Sequence, residues 1–208
     1  MNKSERLANK NSYAITRGHD FVEIGGVKWA TCNLGAENPK DPGLYFMWGD
    51  SDGFSVKDVI NADWHSRVTS WDGIAFTIRD LEEYDTIPIE MDPARALWGG
   101  KWRVPTMDEF RMLSKLRTSR KLKLNKENEY PRGLKFGYEN KQIYFPLSGY
   151  FYAWEIFEPD KNGYYWTKNT MDEIPELGAN AILSQCNSIK IDHYAKYMAY
   201  NIRPVLDV

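Results

Sequence analysis

Three histidines, His19, His65 and His193, and two cysteines, Cys32 and Cys186, are the side chains of this sequence best suited to nucleophilic, acid–base or metal chemistry. The histidines stand singly, each reading as an ordinary surface or core residue. The cysteines could pair with each other, but two do not make a disulfide framework. There is no Cys-x-x-Cys and no Cys/His cluster at zinc spacing. No Gly-x-Ser-x-Gly turn occurs to expose a serine nucleophile. Asp50-Ser51-Asp52-Gly53 supplies oxygens of the kind calcium takes, yet no acid follows at the spacing a calcium loop demands, so it reads as a turn. The expectation is a non-enzymatic protein with no catalytic residue, no metal and no cofactor.

The chain has 208 residues, enough for one domain with a sizeable core. Its 8 Trp and 13 Tyr suit an irregular, loop-rich core and equally suit a contact surface. The net charge of −2 argues against nucleic acid as a partner, which calls for many Lys and Arg on one face. No run of about 18 apolar residues exists to span a membrane.

Residues 1–18 read as a polar N-terminal arm and 19–208 as the domain, with 50–91 an irregular insertion. Phe21-Val22-Glu23-Ile24, the Gly25-Gly26 turn and Val27 to Cys32 predict a hairpin. Leu44 to Trp48 predicts a buried strand. Asp92, Pro93 and Gly99 are the cap, first position and stop of a short helix. Thr106-Met107-Asp108-Glu109 is a capping box, and Phe110, Leu113 and Leu116 continue it as one apolar stripe. Arg103, just before that box, is placed to pair with a buried acid or with strand carbonyls. Trp98 and Trp102 flank Gly99-Gly100, expected where backbone passes close to an aromatic core. Strands are predicted over 142–147, 163–167 (a buried central one), 179–186 and 197–205, with 149–157 a further candidate. The fold class is α+β: two short helices packed on antiparallel strands with long loops.

The order of certain blocks is distinctive. They are Val27-Lys28-Trp29-Ala30-Thr31-Cys32-Asn33-Leu34-Gly35-Ala36, Gly43-Leu44-Tyr45-Phe46-Met47-Trp48-Gly49-Asp50 and Ala94-Arg95-Ala96-Leu97-Trp98-Gly99-Gly100-Lys101-Trp102-Arg103-Val104-Pro105-Thr106 with Glu109-Phe110. Ile143-Tyr144-Phe145-Pro146-Leu147-Ser148-Gly149-Tyr150, Gly163-Tyr164-Tyr165-Trp166-Thr167 and Ile202-Arg203-Pro204-Val205 follow. Over roughly residues 20–205 this set resembles the Fibrobacter succinogenes major paralogous domain family, common in Bacteroidetes. The Trp102 to Phe110 block is also similar to formylglycine-generating enzymes. The resemblance implies a C-type-lectin-like fold, with Trp29, Trp98, Trp102, Arg103, Thr106, Glu109 and Trp166 as its structural residues. The enzymes' copper-binding cysteine pair is absent here, which excludes their activity. Glu158-Pro159-Asp160 looks like the calcium motif of C-type lectins. The Trp-Asn-Asp block that should follow is Trp166-Thr167-Lys168-Asn169, so the segment reads as a turn.

In that superfamily ligands usually meet the loops of the C-terminal half, which correspond to 151–162 and 168–200. The ligand-binding residues implied there are Tyr152, Trp154, Glu155, Asn169, Asn180, Asn187, Tyr194 and Tyr197. Tyr and Trp supply rigid amphipathic contact area, and Asn supplies adaptable hydrogen bonds. The expectation is a binding or attachment module for a host surface glycan or protein, carried on a phage or prophage virion as a fibre or decoration protein. Other particle subunits would bind through the N-terminal arm, in a possible homo-oligomer (trimer or dimer). A bacterial cell-surface adhesin, or a structural particle protein binding mainly other subunits, are the alternatives. Residues 1–19 lack the apolar stretch of a secretory leader, so synthesis is expected in the cytoplasm and residence on a virion or extracellular surface.

Overall fold

The computed structural model describes residues 19–56, 84–115, 132–138, 141–152, 155–171, 173–184, 186 and 188–207. The N-terminal arm, 57–83 of the expected insertion, Leu116, Trp154 and Asn187 lie outside the described residues. The architecture is α+β and mostly β, every ladder between strands being antiparallel.

Alternating residues make the first hairpin, β1 (Phe21–Ile24) and β2 (Val27–Ala30), joined by Gly25 and Gly26 at positive φ. Helix α1 (Pro93–Trp98) starts where the sequence places it. Asp92 Oδ1 accepts from the amides of Ala94 and Arg95 at 2.9 and 3.1 Å, and Oδ2 accepts from Val104 N–H at 2.8 Å. One buried carboxylate thus caps the helix and ties it to the following chain. Gly99 and Gly100 adopt φ of +71° and +59°, and a Cβ on either would meet nothing within 4 Å. They are needed for the left-handed backbone, not for the close approach expected from their aromatic neighbours.

The two-residue β3 (Trp102–Arg103) leads into α2 (Met107–Lys115). The capping box closes reciprocally: Glu109 N–H donates to Thr106 Oγ1 at 3.2 Å, and Thr106 N–H to Glu109 Oε2 at 2.6 Å. Arg103 grips the same Glu109 with both terminal nitrogens, at 2.9 and 2.7 Å, and donates from Nε to Asp207 at 2.7 Å. Glu109 is largely buried and Asp207 about half exposed, so Arg103 fixes the helix start against the end of the chain's last strand.

Hairpins β4 (Gly133–Tyr138) with β5 (Lys141–Pro146) and β6 (Tyr150–Tyr152) with β7 (Glu155–Phe157) follow. Then come β8 (Asn162–Met171), β9 (Ile174–Ser184), β10 (Ser188–Ala195) and β11 (Val205–Leu206). The terminal sheet runs β1-β2-β11-β3, and the larger one β10-β9-β8.

Expectations about the strands are corrected at four places. The central strand is β9; β8 lies at the end of its ladder, covered by bridges from Gly149 and Asn201 instead of a full strand. Residues 168–200 are mostly a β-hairpin, not loops, because 188–195 alternates Ile189, Ile191 and His193 with Lys190, Asp192 and Tyr194 and pairs along its whole length with β9. Conversely, 197–205 holds single bridges and little strand. Its Ala199, Tyr200 and Asn201 are wedged between Phe151, Phe46 and Tyr165. The expected buried strand at 44–48 is likewise buried, but bridges only through Tyr45 and Phe46.

Trp29, Phe110, Phe145 and Tyr165 pack edge-on or tilted in one core. Against it lies Arg203, fully buried. Its guanidinium donates to Asn33 Oδ1 (2.8 Å) and to the carbonyls of Ala30 (3.0 Å), Thr31 (2.6 Å) and Tyr144 (2.8 Å), and sits 4.6 Å from the Phe145 ring centre. Burial pushes its pKa down to about 10, so it stays charged at neutral pH, with oxygens around it in place of water. A second core joins Phe46, Trp48, Trp102, Trp166 and Tyr200. Both thiols, Cys32 and Cys186, are free. No helix among the described residues is long and apolar enough to cross a membrane.

Candidate functional site

Directly opposed residues of a β-ladder share a face. In the β10-β9-β8 sheet, Tyr165, Ala181 and Ile191 are in register and point into the first core, as do Leu183 and Ile189. The other face carries Tyr164 and Trp166 on β8, Gly178, Asn180 and Ile182 on β9, and Lys190, Asp192 and Tyr194 on β10. Tyr200 and Tyr150 lie over its β8 side.

The rings on this second face form one connected cluster. Tyr200 packs on Trp166 at 4.2 Å between ring centres and on Tyr164 at 5.2 Å. Tyr150 meets Tyr164 edge-on at 4.8 Å and stacks with Phe157 at 5.3 Å. Tyr194 reaches Tyr164 at 6.5 Å and Tyr200 at 6.4 Å, and Tyr152 reaches Tyr197 at 6.0 Å. Trp166, Tyr164 and Tyr200 are buried and Tyr150 and Phe157 partly so, whereas Tyr152, Tyr194 and Tyr197 are 37%, 38% and 39% exposed. A rigid aromatic base therefore carries three accessible tyrosines.

Backbone geometry makes room for this stack. A Cβ on Gly178 would stand 2.7 Å from Trp48 and 3.0 Å from Trp166, so glycine lets those indoles close over β9. Trp48 Nε1 donates to Thr167 O at 2.9 Å and Trp166 Nε1 to Phe46 O at 2.8 Å, which locks both rings.

Carboxylates edge the cluster. Glu158 Oε2 accepts from Tyr164 Oη and Asn162 Nδ2, both at 2.6 Å, and these bonds hold its pKa below the usual glutamate range. Asp192 is opposed by burial, but the Lys190 ammonium and the His193 amide outweigh it and keep its pKa low. Burial, and then the neighbouring charge and hydroxyls, raise the phenol pKa of Tyr150, Tyr164 and Tyr200. At neutral pH the face presents protonated phenols beside ionised carboxylates.

The floor differs from the rest of the interior. Asn180 is 0% exposed, and neither its Nδ2 nor its Oδ1 has a hydrogen-bond partner among the described residues; nor has the hydroxyl of Tyr200. Such groups each cost about 1–3 kcal/mol when left unsatisfied. The rest of the face is well connected, so this strain is local.

Of the residues expected to bind ligand, Tyr152, Glu155, Tyr194 and Tyr197 come together here. Tyr152 faces Glu155 across the β6–β7 hairpin, and both are exposed. Asn180 is in the same place but lies beneath the surface, not on it. Asn169 is engaged elsewhere, its Oδ1 accepting from Met107 N–H at 3.0 Å to cap α2. Sequence reasoning missed Tyr150, Tyr164, Asp192 and Tyr200. The available signal was the period of two in 162–166 and 188–194, which puts Asn162, Tyr164 and Trp166 on one side and Lys190, Asp192 and Tyr194 with them.

The Glu158-Pro159-Asp160 segment is a turn. Glu158 and Asp160 both take φ near +60°, and Asp160 Oδ1 accepts from Arg132 N–H at 3.0 Å. Their carboxylates brace this turn and the strand after it, and among the described residues no cluster of His, Cys, Asp or Glu could hold a metal ion. Compared with known protein families, curated proteins and solved structures, the chain matches none.

Proposed function

We propose that this protein is a recognition module with a C-type-lectin-like fold whose contact surface is the tyrosine-bearing face of the β8–β10 sheet. The observation that carries the reading is the gathering of exposed Tyr152, Tyr194 and Tyr197 over a packed aromatic base, edged by Glu155, Glu158 and Asp192. Tyrosines held this way lose little side-chain entropy on binding, and they offer both apolar ring faces and hydroxyls. The α+β arrangement of two short helices on antiparallel strands supports the fold reading. The face acts by binding and not by catalysis: the Glu158 and Asp192 carboxylates are engaged by Tyr164, Asn162, Lys190 and the His193 amide, and burial shifts the Tyr164 and Tyr200 phenols away from the acidity a neutral-pH proton donor needs.

The partner is a surface glycan or protein, in an attachment role on a virion or a cell; finding the protein in purified particles tests the virion setting. For the surface itself, wild type and a Tyr152→Ala/Tyr197→Ala variant are compared on printed arrays of glycans and of purified bacterial surface proteins. Binding to a discrete set of features, reduced at least tenfold in the variant with an unchanged melting curve, is the expected result. Equal binding by the two proteins refutes this choice of surface.

A further inference from the structure

We propose that Asn180 and Tyr200 form a calcium-independent subsite that takes a hydroxyl of a neutral sugar. This rests on the recognition surface argued above and names its ligand class. Among the described residues, the buried side-chain atoms left without a hydrogen-bond partner are Arg95 Nε, Asn180 Nδ2, Asn180 Oδ1 and the Tyr200 hydroxyl. Three of these four belong to one spot. Asn180 stands in register between Trp166 and Asp192. The Tyr200 ring lies 4.2 Å from that of Trp166 and 6.4 Å from that of Tyr194, two residues along the face from Asp192. Buried polar groups in folded proteins are nearly all paired, so two unpaired neighbours under an aromatic surface ask for a common explanation.

The chemistry of the unpaired set selects the ligand. An amide offers two donor hydrogens and an acceptor oxygen, and a phenol offers one of each. A cationic group only donates, so it would leave Asn180 Nδ2 unpaired. An anionic group only accepts; it would leave Oδ1 unpaired and would face Asp192 and Glu158. A hydroxyl donates and accepts at once. The tyrosines around the floor add flat apolar surfaces, against which the C–H face of a pyranose ring packs. Asn180 is covered, so entry requires a rim side chain to move. Tyr194 stands at that rim: it opposes Gly178, the next residue to Asn180 on this face, on a strand that ends the ladder, and is about two-fifths exposed.

The test titrates glucose, galactose, mannose and N-acetylglucosamine, each to tens of millimolar in EDTA, into wild type, Asn180→Leu and Tyr200→Phe, with saturation-transfer NMR as the readout. At least one sugar is expected to bind wild type, and both variants should bind it at least tenfold more weakly while melting no lower than wild type. The subsite is overturned if no sugar binds, or if the variants bind as wild type does, including the case in which they melt lower with unchanged binding, the mark of groups bridged by an internal water. The arrays separate this from failure of the surface reading. Protein features lost with Tyr152→Ala/Tyr197→Ala, together with no sugar binding, sink the subsite alone; features kept by that variant sink both.

Discussion

The two faces of the β10-β9-β8 sheet are built from alternate residues of the same strands, yet they treat polar groups in opposite ways. On the closed face Tyr165 is fully buried and its hydroxyl donates to Pro146 O at 2.7 Å. Beside it Arg203 is wrapped by three carbonyls and the Asn33 amide oxygen. On the other face Tyr200 and Asn180 are equally buried and unpaired. The closed face spends its hydrogen bonds on the fold, and the other keeps some in reserve for something outside it. Among the described residues three of the four buried unpaired side-chain atoms, all but Arg95 Nε, lie on this face, which points to a site, since folding alone would have selected leucine and phenylalanine there.

Substitutions sharpen this contrast. Arg203→Met should be the most damaging, costing about 3–5 kcal/mol, because four buried oxygens lose a charged donor. Urea denaturation measures it, and a cost under about 1 kcal/mol would break the picture of a fully committed closed face. Asp92→Ala comes next: it removes a helix cap and strands the buried Val104 amide, for about 2–3 kcal/mol by the same assay. Tyr152→Ala/Tyr197→Ala should change stability by less than about 1 kcal/mol, since both rings are partly solvated and donate to nothing buried.

The smallest effect is a pH dependence. Glu158 has its pKa depressed by Tyr164 and Asn162, so its contribution is present above the ordinary glutamate pKa of about 4.5 and is lost as pH falls through the lower folded value. Wild type should lose melting temperature below about pH 4.5 slightly more steeply than Glu158→Gln. The carboxylate is largely exposed, so solvent screening keeps this difference small. A steeper loss in the variant would show that those hydrogen bonds do not favour the ionised form.

What the sequence made legible was local. The first hairpin, the Asp92 cap with Pro93 behind it, and the Thr106–Glu109 box are all decided within a few residues, and all appear where expected. The positions that went astray depend on distant chain. Ser188 to Ala195 looks like a polar loop until β9 is there to pair with it. The segment 197–205 is rich in aromatics because it is buried, not because it is a strand. Arg103 drew attention for its neighbouring cap, whereas Arg203 is the buried arginine, and its partners lie about 170 and 59 residues away in the chain. The tyrosines of the candidate site were half legible. Composition singled out the exposed ones, but the inner ring on which they stand, Tyr150, Tyr164 and Tyr200, is assembled by three separate segments.

One pair of variants tests the contrast between the faces most directly, because it deletes the same atom from each. Tyr165→Phe and Tyr200→Phe each remove one buried phenolic oxygen, and equilibrium unfolding reads the outcome. Tyr165→Phe should destabilise by about 1–2 kcal/mol, whereas Tyr200→Phe should be neutral or stabilising. Equal losses in the two variants would mean that the Tyr200 hydroxyl already serves the fold, and the face it sits on would have nothing held back for a ligand.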